Sequence, residues 1–211
     1  MATKLGIVNR ALDLMGQAPV VDIDSPISRE EKVMARWYDV SRLRVLAYHP
    51  WDFAEARYQC SRSGTPLFEY ADKYRVPSNF LELVDIYVED SGQYYSQVYG
   101  DIDWTREEND ILLNMSGSTS INIVYTKDVE DVAKFSALFT AALERRLASD
   151  TCFAITRDLK LAASLVSQAD DDMNKATSID GQGKRVRRKE FSRAIAARCS
   201  GLGSSNPYRI R

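Results

Sequence analysis

The chain contains one histidine, His49, set in Ala47-Tyr48-His49-Pro50-Trp51, and a histidine is the first place to look for acid–base chemistry. A catalytic imidazole needs an orienting carboxylate and a nucleophile, and the sequence nominates neither. Asp52 is near in sequence only, so His49 reads as a structural residue in an aromatic corner. Two acidic clusters are the next candidates. Asp101, Asp103, Glu107, Glu108 and Asp110 gather around an expected hairpin that also holds Trp104, and paired carboxylates beside an aromatic could serve a glycosidase. A solvated turn explains the same residues. Asp170-Asp171-Asp172 could hold a hard cation, but consecutive helical residues point about 100° apart, which favours a solvated helix face.

The remaining signatures of chemistry are missing from the sequence. Cys60, Cys152 and Cys199 are widely spaced, an odd number without a CxxC pair, and read as idle thiols instead of a disulfide or zinc framework. No GxSxG, HExxH, Walker or dinucleotide pattern occurs, and Gly181-Gln182-Gly183-Lys184 lacks the spacing of a phosphate loop. The reading is a non-enzyme without cofactor or metal. No apolar run approaches the roughly 20 residues that cross a bilayer, and Asn9, Arg10 and Asp13 interrupt the N-terminal segment at helical spacing, so neither a membrane span nor a secretory signal is expected.

Charge is distributed unevenly. From Lys184 to the end, nine basic residues face one acid, Glu190, giving this segment +8. The first 183 residues therefore carry −10 of a net charge of −2. Such a split implies two surfaces with different partners.

The elements that must position these groups follow from periodicity. Thr3 can cap a first helix with Leu5, Val8, Leu12 and Met15 on one face and Gly16 at its left-handed end. Ser28 to Glu31 is a capping box, opening a helix whose Val33, Trp37, Val40, Leu43 and Ala47 form a stripe and which Pro50 bounds. Between 66 and 127 the pattern turns to β: Leu67–Val76, Phe80–Val88, Tyr94–Tyr99, Ile111–Asn114 and Ser120–Thr126, about five strands separated by Gly92, Gly100 and Gly117. Helical spacing returns with Phe135, Phe139, Ala142, Leu143 and Leu147, then, after a cap at Thr156, with Leu159, Ala162, Ala163, Val166, Ala169 and Met173. The expected architecture is α+β. A four-helix bundle is built from N- and C-terminal halves (1–65 and 128–180), with a small antiparallel β domain inserted at 66–127. A basic C-terminal extension, 181–211, follows, in which Val186, Phe191, Ala194 and Ile195 hint at one short amphipathic helix.

Four segments, in this order, resemble one family. Ala11 to Val20 reads ALDLMGQAPV, Ala35 to Ala54 reads ARWYDVSRLRVLAYHPWDFA, and Tyr70 to Leu83 reads YADKYRVPSNFLEL. The fourth, Val124 to Asp158, contains YTKDV and FSALFTAALERRLASDTCFAITRD. Together they resemble the tail tubular protein A family, the head-to-tail adaptors (connectors) of short-tailed, podovirus-type bacteriophages, over roughly residues 1–180.

The resemblance implies a structural subunit of the virion tail, assembled in the host cytoplasm into a dodecameric ring between the portal protein and the tail nozzle, of tail tubular protein B type. Genomic double-stranded DNA would pass through the lumen during ejection without specific binding, and an acidic body suits such passage, because cationic walls would hold phosphates. The extension implies docking on the portal or a neighbouring subunit through Lys184, Arg185, Arg187, Arg188, Phe191, Arg193, Ile195, Arg198 and Tyr208. Tyr94, Tyr95, Tyr99 and Trp104 are candidates for nozzle or subunit contacts, or fill the core of the sheet. Two alternatives stay open: a nucleic-acid-binding virion accessory protein acting through the basic segment, and a tail-associated glycan hydrolase using the Asp101–Asp110 cluster.

Overall fold

A computed structural model describes residues 3–90, 93–96, 102–114 and 119–183, with backbone alone at 89, 90, 93–96 and 183. Four α-helices and seven strands follow in chain order: α1 (Lys4–Leu14), α2 (Arg29–Tyr48), β1 (Glu55–Gly64), β2 (Asp72–Arg75), β3 (Phe80–Asp90), β4 (Gln93–Ser96), β5 (Trp104–Glu107), β6 (Asp110–Leu113), β7 (Ser120–Lys127), α3 (Ala137–Thr156) and α4 (Leu159–Gly183).

Helix ends obey local chemistry. The Thr3 hydroxyl accepts the Gly6 amide at 3.0 Å, and Gly16, at φ 67°, closes α1 in the conformation a side chain would resist. At α2 the capping box is reciprocal, with Glu31 N donating to Ser28 Oγ at 3.1 Å and Ser28 N donating to Glu31 Oε2 at 2.8 Å. Ser136 caps α3. The cap of α4 is Asp158, whose Oδ1 accepts the amides of Lys160 and Leu161, and not Thr156, which ends α3 and donates back to Cys152 O. A serine- or threonine-sized cap lost to the acid two residues on, because Arg157 takes a left-handed φ of 61° and turns the chain between the helices.

The long helix α3 is the hub on which α1, α2 and α4 all pack. Phe139, Leu143 and Leu147 of α3 meet Ile7, Val8 and Leu12 of α1, Met34, Tyr38, Val45 and Leu46 of α2, and Leu165, Met173 and Ala176 of α4 in one core. The buried face of α2 is Met34, Tyr38, Ser41, Arg42, Val45 and Leu46, rotated from the expected stripe of Val33, Trp37, Val40, Leu43 and Ala47. That shift has a cause: a polar Ser41 and a charged Arg42 occupy core positions, so hydrophobicity alone misplaces the face. On α4 likewise, Leu159 and Val166 are exposed while Leu165 and Ala176 are buried.

The β region differs from expectation most. All seven strands form a single antiparallel sheet, in the order β4-β3-β7-β1-β2-β6-β5. β1 pairs with β7 over Glu55–Ser61 and with β2 at Arg62 and Gly64, across a register irregularity that lets the sheet curl. Two further irregularities bend β3, between Phe80 and Glu82 and between Leu83 and Asp85. The concave face buries Cys60, Tyr74, Ile86, Ile111, Leu113, Ile121 and Ile123 in a core of its own. Curling brings the terminal strand β5 back toward β3: Arg106 Nη1 donates to Leu81 O at 3.1 Å, and its guanidinium stacks over the Phe80 ring at 4.8 Å.

The expected four-helix bundle with a small β insertion is therefore replaced by a helical layer beside a curled half-barrel. The sheet also begins at Glu55, inside the 1–65 segment expected to be helical, and α4 runs to Gly183, past the expected end of the helical half at 180. β1 escaped notice because its inward residues, Ala56, Tyr58 and Cys60, alternate with Glu55, Arg57 and Gln59 too weakly to stand out from a polar loop.

Candidate assembly surfaces

His49 ends α2, and its Nε2 lies 3.1 Å from Asp180 Oδ2 near the end of α4. Trp51 meets the imidazole edge-on at 5.3 Å and donates its own indole N–H to Val45 O at 2.8 Å. Trp51, Phe53, Phe135 and Phe139 then continue as a chain of aromatic contacts with centroids 4.7–6.5 Å apart. His49 therefore couples two helices. The carboxylate at its Nε2 is Asp180, 131 residues away in sequence. Tyr48 adds a second tie, donating to Asn174 Oδ1 at 3.1 Å.

Two acids of the β5–β6 hairpin, Glu107 and Asp110, are held by cations. Glu107 pairs with Lys73 Nζ at 2.7 Å, and Asp110 pairs with Arg75 at 3.1 Å and accepts from Ser63 Oγ. Glu108 sits in the hairpin turn at φ 51°. Asp101 lies outside the described residues. The Glu107 and Asp110 carboxylates are thus engaged in strand-to-strand pairs across the sheet surface, while Asp103 precedes β5 on the exposed surface. On α4, Asp170 pairs with Arg146 at 3.6 Å and Asp172 with Arg145 at 2.5 Å, which fastens α4 to α3. Among the described residues no group of three or more His, Cys, Asp or Glu side chains is placed to hold a metal ion, and no helix is long and apolar enough to cross a membrane. Cys60 and Cys152 are buried, and burial pushes the Cys60 thiol up to about 12.

Of the aromatic residues singled out in the β region, Trp104 stands on β5 opposite Leu113, half-buried against the sheet core. Tyr94 and Tyr95 are in β4, paired in register with Glu89 and Val88. Tyr99, like Cys199 and the whole docking set Lys184, Arg185, Arg187, Arg188, Phe191, Arg193, Ile195, Arg198 and Tyr208, lies outside the described residues. The segment that holds this set begins directly after α4, four residues beyond Asp180.

Sequence reasoning missed three features. The first is a buried ion pair: Arg42, 3% exposed, donates to Asp128 and, at 2.8 Å, to Val129 O, joining α2 to the chain leaving β7. Burial alone would lower the Arg42 pKa, but the hydrogen bond and charge of Asp128, with help from Asp39, raise it. Nearby, burial pushes the Tyr38 hydroxyl up to about 12, against the opposing charge of Arg42. The second is Asp150, which gathers Ser41, Arg44 and Arg146 between α2 and α3. The third is a set of exposed apolar side chains. Leu67 and Phe68 project from the β1–β2 loop at 98% and 76% exposure, where the sequence had suggested a strand over Leu67–Val76; the strand present is the shorter β2, Asp72–Arg75. Ile27, Phe153 and Leu159 are exposed on the helical layer. The Arg29 guanidinium donates to Ala154 O at 2.6 Å, which sets the N-terminal end of α2 beside the C-terminal end of α3.

These positions describe a molecule whose unspent chemistry is on its outside: apolar side chains on the sheet loop and at one end of the helical layer, and a basic segment leaving the end of α4. No protein-family model matches the chain, and no curated protein matches it in sequence.

Proposed function

We propose that the chain is a structural subunit of the head-to-tail junction of a short-tailed phage, an adaptor that forms a ring between portal and nozzle and surrounds the DNA path. One observation supports this reading most. The +8 segment starts where α4 ends, and that helix end is fastened to α2 by His49–Asp180 and Tyr48–Asn174. A charged arm leaving a fixed helix end can reach a partner from a defined point, and a body at −10 repels duplex phosphates passing its surface. The four resembling segments agree with this role, and a ring of about twelve copies needs heterologous contacts, one face of a subunit meeting a different face of the next.

Removing residues 184–211 tests the reading. The truncated chain keeps its thermal transition and loses co-sedimentation with the portal ring. Equal binding by full-length and truncated chains overturns it. The same charge favours a second reading, duplex DNA binding through the arm. Affinity for DNA that falls steeply with salt and vanishes on truncation, without any portal binding, selects that alternative.

A further inference from the structure

We infer that the curled sheet opens along its seam, with β2, β6 and β5 swinging together away from β3 and β7 when Arg106 lets go. The motion belongs to the fold of one chain and does not depend on the adaptor reading above.

The pairing pattern divides the sheet into two halves. β4, β3 and β7 are laddered to the Glu55–Ser61 part of β1, whereas β2 pairs with β1 only from Arg62 and carries β6 and β5 beyond it. The register irregularity between Arg62 and Gly64 falls at that boundary, where a strand bends most readily. Arg62 also pairs with the buried Asp72 of β2, so the pivot stays attached to the half that moves. A second joint lies between β2 and β3. Val76 N donates to Asn109 O at 3.1 Å, on the side of the β5–β6 hairpin. Asn79 is fixed to the other half, its O accepting Asp128 N at 2.7 Å and its Oδ1 accepting the Tyr125 hydroxyl at 3.1 Å. Between these two anchors the chain is only Pro77 and Ser78.

No ladder joins β5 to β3 among the described residues. Arg106 spans the seam instead. Its Nη1 donates to Leu81 O at 3.1 Å, its Nε donates to Glu108 O at 3.3 Å within its own hairpin, and its plane lies over Phe80 at 4.8 Å. Phe80 stacks in turn on Tyr125, with ring centroids 5.6 Å apart, so the latch runs from β5 through β3 to β7. An exposed cation–π contact and a side-chain hydrogen bond are weak beside a strand ladder, which makes this the edge that parts first. Beneath the seam is a core built from both halves, Tyr74, Ile111 and Leu113 from one and Ile86, Ile121 and Ile123 from the other. Cys60, on β1, is fully buried in that core. Because the halves share it, the open form is a minor population in exchange with the closed one.

The two buried thiols test the motion within one molecule. Cys60 reports the sheet core, and Cys152, buried in the helical core, reports the helices. The full-length chain is labelled with iodoacetamide in native buffer, and each cysteine-bearing peptide is quantified by mass spectrometry against the urea-unfolded chain. Cys60 reacts at least about tenfold faster than Cys152, with a weaker dependence on added urea, because its opening exposes less surface than global unfolding. Arg106→Ala speeds Cys60 labelling about fivefold and leaves Cys152 unchanged. Phe80→Leu speeds it as well, and the double variant is no faster than the faster single one, because both changes remove the same stack. Cys60 and Cys152 reacting at one common rate overturn the opening. Arg106→Ala accelerating both thiols alike, or neither, overturns it too, as do single-variant effects that multiply in the double variant.

Discussion

The helical layer and the curled sheet solve the same burial problem with different materials. The helical core is assembled from both ends of the chain, and its centre is aromatic: Trp51, Phe53, Phe135 and Phe139 interlock where α2, β1 and α3 converge. Buried charge is threaded through its rim, in Arg42–Asp128 and the Asp150 cluster. The sheet core comes from one continuous stretch and is mainly aliphatic, and the exposed Arg106 bridges its open seam. The contrast teaches where tolerance lies. The adaptor proposed above needs one part that holds its shape and another whose outer surface can be spent on contacts, and the second part must be able to change without unfolding the first.

The largest expected effect is in the helical layer. Phe139→Ala, at a fully buried ring that touches Trp51, Phe53 and Phe135, costs about 3–5 kcal/mol in denaturant unfolding. A loss below about 1 kcal/mol would mean that the aromatic centre is not the keystone of this layer. Next comes Asp128→Ala. It removes the nearer carboxylate from the buried Arg42 guanidinium, leaving it with the largely exposed Asp39 and the Val129 carbonyl, and lowers stability by about 3 kcal/mol. A neutral result would show that water reaches Arg42 and that the joint between α2 and the chain after β7 is loose.

Arg106→Ala is predicted to cost about 1 kcal/mol or less, and to act locally. Amide exchange should accelerate in β5 and β6 while α3 is unchanged. Acceleration spread evenly over both regions would erase the distinction between them. The smallest effect concerns acid. The backbone amides of Ser28 and Ile27 hold Glu31 below its ordinary value near 4.5. The stability this contributes is complete above about that pH and is lost as pH falls through the lowered value of the folded chain. Glu31→Gln should therefore flatten the acid limb of a melting-temperature profile and leave neutral pH nearly untouched. An unaltered acid limb would remove the capping box from the account.

Local chemistry was legible in advance where it was complete within a few residues. Thr3, Gly16 and the Ser28–Glu31 box act where the sequence places them, because caps depend on neighbours along the chain. The strand expected at Phe80–Val88 is present as β3, but its imperfect alternation pointed to Leu81, Leu83 and Tyr87 where the buried residues are Phe80, Ile86 and Val88. What escaped was decided by distant partners. The face of α2 is set by Asp128 reaching Arg42 across 86 residues, and His49 finds its carboxylate in Asp180 across 131. The seam of the sheet depends on Arg106 meeting Leu81, a pair that no periodicity marks. As for the surfaces, the exposed Leu67–Phe68 loop tip was invisible because Leu67 reads as one more apolar strand residue until its exposure is known.

Electron microscopy of the full-length chain co-assembled with its portal ring bears most directly on the central claim, that this polypeptide acts through its surfaces. The account predicts closed rings of about twelve copies stacked coaxially on the portal, with density at the portal contact that disappears when residues 184–211 are deleted. A chain that remains monomeric beside intact portal rings, at every concentration and salt tested, would contradict it.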